Sequence, residues 1–175
     1  MRWYVFGAQA VLAYGAPRLT ADVDVTVDPL ELGPPDLLRI LASEGIEPRD
    51  ASFAQALATS RLLPLVHRPT AIAVDVVLAG AGIEQDFLAR ACHLDLGGVR
   101  VPILCVEDLI ATKVVAGRRK DREDVLGILR EQADKLDRKL LFEVLSLFDE
   151  SLEEPRAVRR FEQLERALAR LSRPR

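Results

Sequence analysis

Histidine, cysteine, methionine and aromatic side chains are all scarce in this chain. Its 175 residues include two histidines, two cysteines, one methionine and one tryptophan, and aromatics make up 5%. That scarcity narrows the chemistry. Neither His67 nor His93 has a cysteine or carboxylate at zinc-ligand spacing. No serine stands in a Gly-x-Ser-x-Gly elbow, so Ser-His-Asp catalysis has no support. No P-loop or dinucleotide fingerprint occurs. Cys92 and Cys105 form neither a disulfide framework nor a metal motif and read as small buried hydrophobes. No apolar run approaches the roughly 20 residues of a membrane span. The N-terminus lacks the long apolar core and small-residue cleavage site of a signal peptide. The cytoplasm is the expected location, with no membrane partner.

The composition that remains is that of an ordinary globular protein, 49% apolar and 29% charged. A chain of this length buries a sizeable single core. The net charge of −3 conceals an asymmetry: residues 155–175 carry seven arginines and two glutamates, a local +5, leaving −8 on residues 1–154. Such a basic segment can contact nucleic acid or fold back on the acidic body. Val158, Phe161, Leu164, Leu168 and Leu171 recur at helical spacing, which favours packing on the body with the arginines solvated.

Along the chain, Trp3–Phe6 reads as a buried strand, Gly7 as a turn and Ala8–Tyr14 as a short helix broken at Gly15-Ala16-Pro17. Asp22–Val27 alternates strictly, as a half-buried strand does. Asp36 is placed as the cap of a helix reaching Ser43, closed by Gly45, and residues 52–60 read as another helix. Arg61–His67 and Ala71–Leu78 read as strands around the turn 67–70. A helix over 83–91 precedes two strands, 92–96 and 99–104, joined by the hairpin signal Gly97-Gly98. Helices follow over 107–116, 121–132, 137–148 and 156–171. The expected fold class is α+β: a mixed sheet over residues 1–105, and a helical region over 106–175 packed on it as one compact unit.

Several charged residues stand where apolar ones would be expected. Asp22 and Asp24 share one face of their strand, about 6.6 Å apart along the chain, while Val23, Val25 and Val27 face the other way. They are either the wet side of an amphipathic strand or half of a metal site. Asp75 interrupts Ala71–Ala79, whose other residues are all apolar; it is either an edge-strand acid facing water or a third metal ligand. Three carboxylates from two strands can clamp two cations. Lys113 falls inside the apolar stripe of Val106, Leu109, Ile110 and Val114, so it either snorkels to solvent or meets a protein carboxylate or substrate phosphate. Asp121 shares a face with Val125 and Ile128, whereas Asp124 needs no more than its place near a helix N-terminus.

Taken together, these residues resemble a known family. Gly7-Ala8-x-Ala10 and Gly15-Ala16-Pro17-Arg18-x-Thr20-x-Asp22-x-Asp24 are similar to the opening of nucleotidyltransferase-fold toxins of the AbiEii/AbiGii type and their MenT-like relatives. The likeness continues through Val74-Asp75-Val76, Val101–Leu104, Glu107–Lys113 and Lys120-Asp121-x-x-Asp124, covering residues 3 to about 130. It implies a DNA polymerase β-like core transferring a nucleoside monophosphate from an NTP to an acceptor hydroxyl, in toxins of this type commonly RNA, including tRNA. It further implies two Mg²⁺ ions on Asp22 and Asp24. Asp75 would ligate metal and help deprotonate the acceptor. Gly7, Ala8, Arg18, Thr20, Lys113 and Asp121 would line the nucleotide. A toxin also implies a cognate antitoxin as partner. The family's Gly-Gly or Gly-Ser turn is Gly7-Ala8-Gln9 here. Drug-modifying nucleotidyltransferases share a similar glycine turn, arginine and Asp-x-Asp, so a small-molecule acceptor is the alternative, and a catalytically impaired nucleotide-binding or interaction module is another.

Overall fold

Alternation of apolar and polar residues along β2 (Asp22–Asp28) builds the centre of the sheet, because it offers one valine-rich face to a core. β1 (Arg2–Phe6) pairs antiparallel with β2, and β5 (Ile72–Leu78) pairs parallel with it on the other side. The computed structural model describes residues 1–16, 18–50, 53, 61–151 and 155–171. Except at Phe53, which is helical and buried, the helix expected over 52–60 lies outside the described residues. The described residues fall into two compact units, Met1–Ala10 with Arg18–Leu104, and Val11–Pro17 with Cys105–Arg175.

In the first unit, seven strands form one mixed sheet in the order β3-β4-β5-β2-β1-β7-β6, where β3 is Ile46–Pro48, β4 Leu62–His67, β6 Cys92–Leu96 and β7 Val99–Ile103. On one face, Val27, Leu63, Leu65 and Val76 are buried together with Leu37 of α2 (Pro34–Ser43) and Phe53, with Trp3, Val25, Val74 and Leu78 packed against them. That cluster holds the sheet flat-side down on α2 and leaves the aspartates of β2 and β5 on the opposite face. Gly97 and Gly98 both have positive φ, as the two-residue β6–β7 turn requires.

Three local readings need correction. Asp36 does not cap α2. The helix starts earlier, after Gly33, because Pro34 and Pro35 supply the fixed φ suited to a first turn, and Asp36 pairs instead with Arg39. The edge strand β3 was not expected, since three residues are too few to show a period. The helix α3 (Ile83–Ala89) ends two residues short of 91.

The second unit is helical: α4 (Val106–Ala116), α5 (Arg119–Gln132), a 3₁₀ turn at Ala133–Lys135, α6 (Arg138–Ser151) and α7 (Ala157–Leu171). α4 packs against α5, α6 and α7. Ile110, Val125, Ile128, Leu141, Leu145 and Phe161 are fully enclosed, and Phe161 meets Phe142 edge to face with ring centroids 5.6 Å apart. α4 ends at Gly117, whose φ of 63° closes the helix in the left-handed conformation. No described helix is long and apolar enough to cross a membrane.

The cysteines also depart from expectation. Both Cys92 and Cys105 are disulfide-bonded, and Cys92 is exposed rather than buried. Two isolated cysteines carry no sequence signal for pairing.

Candidate active site

Parallel pairing of β2 with β5 sets Asp24 directly beside Asp75, and Asp22 beside Ala73. Directly paired residues point to the same side of a sheet, with neighbouring strands about 4.8 Å apart. Asp22, Asp24 and Asp75 therefore occupy one face of adjacent strands. Asp22 is exposed, and the other two are half-buried.

Each carboxylate has its own local restraint. Asp24 lies over Gly7: a Cβ built on Gly7 would sit 1.8 Å from Asp24 Oδ2. Gly7, with φ of 63°, opens α1 (Gly7–Ala13), so glycine is required there twice over, by its backbone angle and by the carboxylate above it. Thr20 donates its hydroxyl to Asp22 Oδ1. The Gln9 side-chain amide, part of the family departure Gly7-Ala8-Gln9, donates to the Asp22 carbonyl at 3.3 Å. Ala8 is buried, and Arg18 is half-buried.

Asp75 is neither a water-facing edge acid nor free of partners. Arg49 Nη2 donates to Asp75 Oδ1 at 2.6 Å, and the same guanidinium donates to the Leu65 carbonyl through Nη2 at 3.1 Å and Nε at 3.3 Å. Sequence reading missed Arg49. It lies 26 residues before Asp75 in a stretch without periodicity, and only the antiparallel pairing of β3, β4 and β5 brings it near.

In the second unit, Lys113 points inward and is 7% exposed. Its anion is supplied by the protein: Nζ donates to Asp124 Oδ2 at 2.7 Å and to Asp121 Oδ1 at 3.4 Å. Asp121 is fully buried and accepts further bonds from the Arg118 backbone N–H at 3.3 Å and from Arg118 Nε at 2.6 Å. Burial alone would raise its pKa, but the Arg118 hydrogen bonds and the Lys113 charge outweigh burial and hold it below the ordinary carboxylate value. Asp124 does more than favour a helix dipole; it is one of the two carboxylates on the buried ammonium. Glu107 and Asp108 are also buried: Glu107 accepts the Asp137 N–H at 2.9 Å, and both acids, after burial itself, push the Tyr14 hydroxyl well above its usual pKa.

The three carboxylates of the first unit are hard oxygen donors of the kind that hold Mg²⁺. Their chemistry fits a divalent cation. Among the described residues, no three His, Cys, Asp or Glu side chains converge into a metal-holding group, and Asp75 is turned to Arg49 while Asp22 is bonded to Thr20.

A mixed sheet with two aspartates one residue apart on a central strand, beside a glycine that opens a helix, is the arrangement that the sequence resemblance implies for a nucleotidyltransferase fold. The match to a family model over residues 2–168 makes the membership plain: the chain belongs to the family described as nucleotidyltransferase of unknown function (DUF6036). No curated protein matches it. Among solved structures, it is similar to ANT(2")-Ia in complex with adenylyl-2"-tobramycin (15% identity, TM-score 0.53, covering 84% of this chain and 88% of that one). The solution structure of the antibiotic-resistance factor ANT(2'')-Ia is 14% identical at a TM-score of 0.55, covering 86% and 83% of the two chains. An antigenic nucleotidyltransferase-like protein from Paracoccidioides brasiliensis is 20% identical at a TM-score of 0.50, covering 95% and 84%. At these identities the likenesses establish the fold.

Proposed function

We propose that this chain is a metal-dependent nucleotidyltransferase that moves a nucleoside monophosphate from an NTP to an acceptor hydroxyl, with RNA, including tRNA, as the acceptor. The observation that carries the reading is the row of carboxylates Asp22, Asp24 and Asp75 on one sheet face, with Asp24 seated over Gly7. In the reaction the acceptor oxygen bonds to the α-phosphorus, the bond from that phosphorus to the bridging oxygen breaks, and pyrophosphate leaves. Asp75 takes the acceptor's proton. Asp22 and Asp24 would hold Mg²⁺, which supplies charge neutralisation at the α-phosphate when bound. Thr20 and Gln9 fix the Asp22 segment, and Gly7 lets Asp24 approach the backbone. Arg18 and Ala8 complete the proposed nucleotide contacts.

In the second unit, Lys113 has three donors and uses two on Asp121 and Asp124. Phosphate contact through the third is its proposed role, with Asp121 fixing the ammonium. The exposed arginines of α7, including Arg159, Arg166 and Arg170, support an RNA acceptor by their charge. A toxin role with a cognate antitoxin follows from the sequence resemblance. A small-molecule acceptor is the second reading, favoured by the fold shared with ANT(2")-Ia, which is bound to an adenylylated aminoglycoside.

The test is incubation of purified protein with each α-labelled NTP, Mg²⁺, and either total tRNA or an aminoglycoside panel. Label is expected on tRNA and absent with Asp22→Ala. Label on the aminoglycosides alone favours the second reading. No transfer under any condition, with Asp22→Ala indistinguishable from the parent, removes both.

A further inference from the structure

Asp24 and Asp75 stand side by side in register, an arrangement in which two like charges repel. The row across the sheet continues from Asp75 to its partner Pro64 and then to Arg49, whose backbone N–H donates to the Pro64 carbonyl at 3.1 Å. The Arg49 side chain is fixed as well as its backbone. Two of its nitrogens are tied to the Leu65 carbonyl, so the guanidinium, although its side chain is 41% exposed, is aimed at Asp75 Oδ1. One positive charge thus sits at the end of a row of carboxylates, bonded to the one farthest along it. This placement sets a positive charge against the repulsion within the pair.

We infer that Arg49 is a positioning residue that orients Asp75 through its Oδ1 and offsets the negative charge of the carboxylate row against which a divalent cation binds. The inference rests on the proposed cation site at Asp22 and Asp24. Arg49 then acts in opposite directions on two quantities. Its charge opposes cation binding, and its hydrogen bond orients Asp75 for the transfer. A residue with a merely structural role would not separate them.

The experiment titrates full-length protein with Mn²⁺, counting free ion by electron paramagnetic resonance, and measures kcat for nucleotidyl transfer on the same samples. Arg49→Gln should tighten Mn²⁺ binding about fivefold, the scale of one unit charge a few ångströms from the ligands in a partly solvated site. It should also lower kcat by about tenfold through loss of orientation. Arg49→Lys keeps the charge and loses the fork, so its Kd should stay near the parent value while kcat falls. Arg68→Gln removes the same charge from a residue bonded to Glu47 and the Pro48 carbonyl and should change neither quantity. Unchanged or weaker Mn²⁺ binding in Arg49→Gln overturns the inference. If that variant does not fold, Arg49→Lys decides, because a kcat equal to the parent's overturns the positioning role. Parent binding that Asp24→Asn abolishes, without tightening in Arg49→Gln, sinks this inference and spares the cation site. Absence of Asp24-dependent Mn²⁺ binding in the parent removes both.

Discussion

Gly7 shows how one residue can be fixed by a neighbour rather than by its own function. Its φ is positive, and the space a Cβ would take is filled by the Asp24 carboxylate. Gly7→Ala must therefore strain the backbone by about 1–2 kcal/mol and also move Asp24. Thermal denaturation should show a lower Tm, and the activity loss should exceed what partial unfolding explains. Asp121 gives the pH dependence. Its folded pKa lies below the ordinary carboxylate value, so its stabilising contribution is fully present above about pH 4 and is lost as pH falls through the folded value. Asp121→Asn should lower stability at neutral pH and flatten the acid limb of a plot of stability against pH; an unchanged acid limb would show that Asp121 is not held low. At this scale the sequence was partly legible. The Asp-x-Asp alternation, Asp75 among apolar residues and Lys113 within an apolar stripe all showed as charges in the wrong company. Arg49 gave no such signal, because an arginine in a polar loop looks ordinary until pairing of the strands carries it to an aspartate.

Elements were legible where their periodicity was long. β2, the Gly97-Gly98 hairpin and the helices from α4 onward follow directly from alternation, turn chemistry and helical spacing. The three residues of β3 carry no period, and the start of α2 was displaced because a Pro-Pro first turn competes with an aspartate cap. The end of α4 offers a test of how elements hold one another. Arg160 Nη1 of α7 donates to the Val115 carbonyl at 3.0 Å and the Val114 carbonyl at 3.4 Å, satisfying groups that a helix C-terminus leaves open. Arg160→Ala should cost about 1 kcal/mol, read as a lower Tm, through loss of these bonds and of a cation at the negative end of α4. An unchanged Tm would mean that water replaces the guanidinium without penalty.

For the molecule as a whole, the α+β class and the order of motifs were readable from the sequence, and the order of strands in the sheet was not. Nothing local distinguishes β2, central and flanked by one parallel and one antiparallel neighbour, from any other alternating strand. What joins the scales is the carboxylate row, and its role is tested most directly by Mg²⁺-dependent pyrophosphate release from NTP plus acceptor, compared between the parent, Asp22→Asn and Asp24→Asn. The proposed site requires release by the parent and a loss of about a hundredfold or more in each variant at unchanged Tm. Release by the variants at the parent's rate would contradict it.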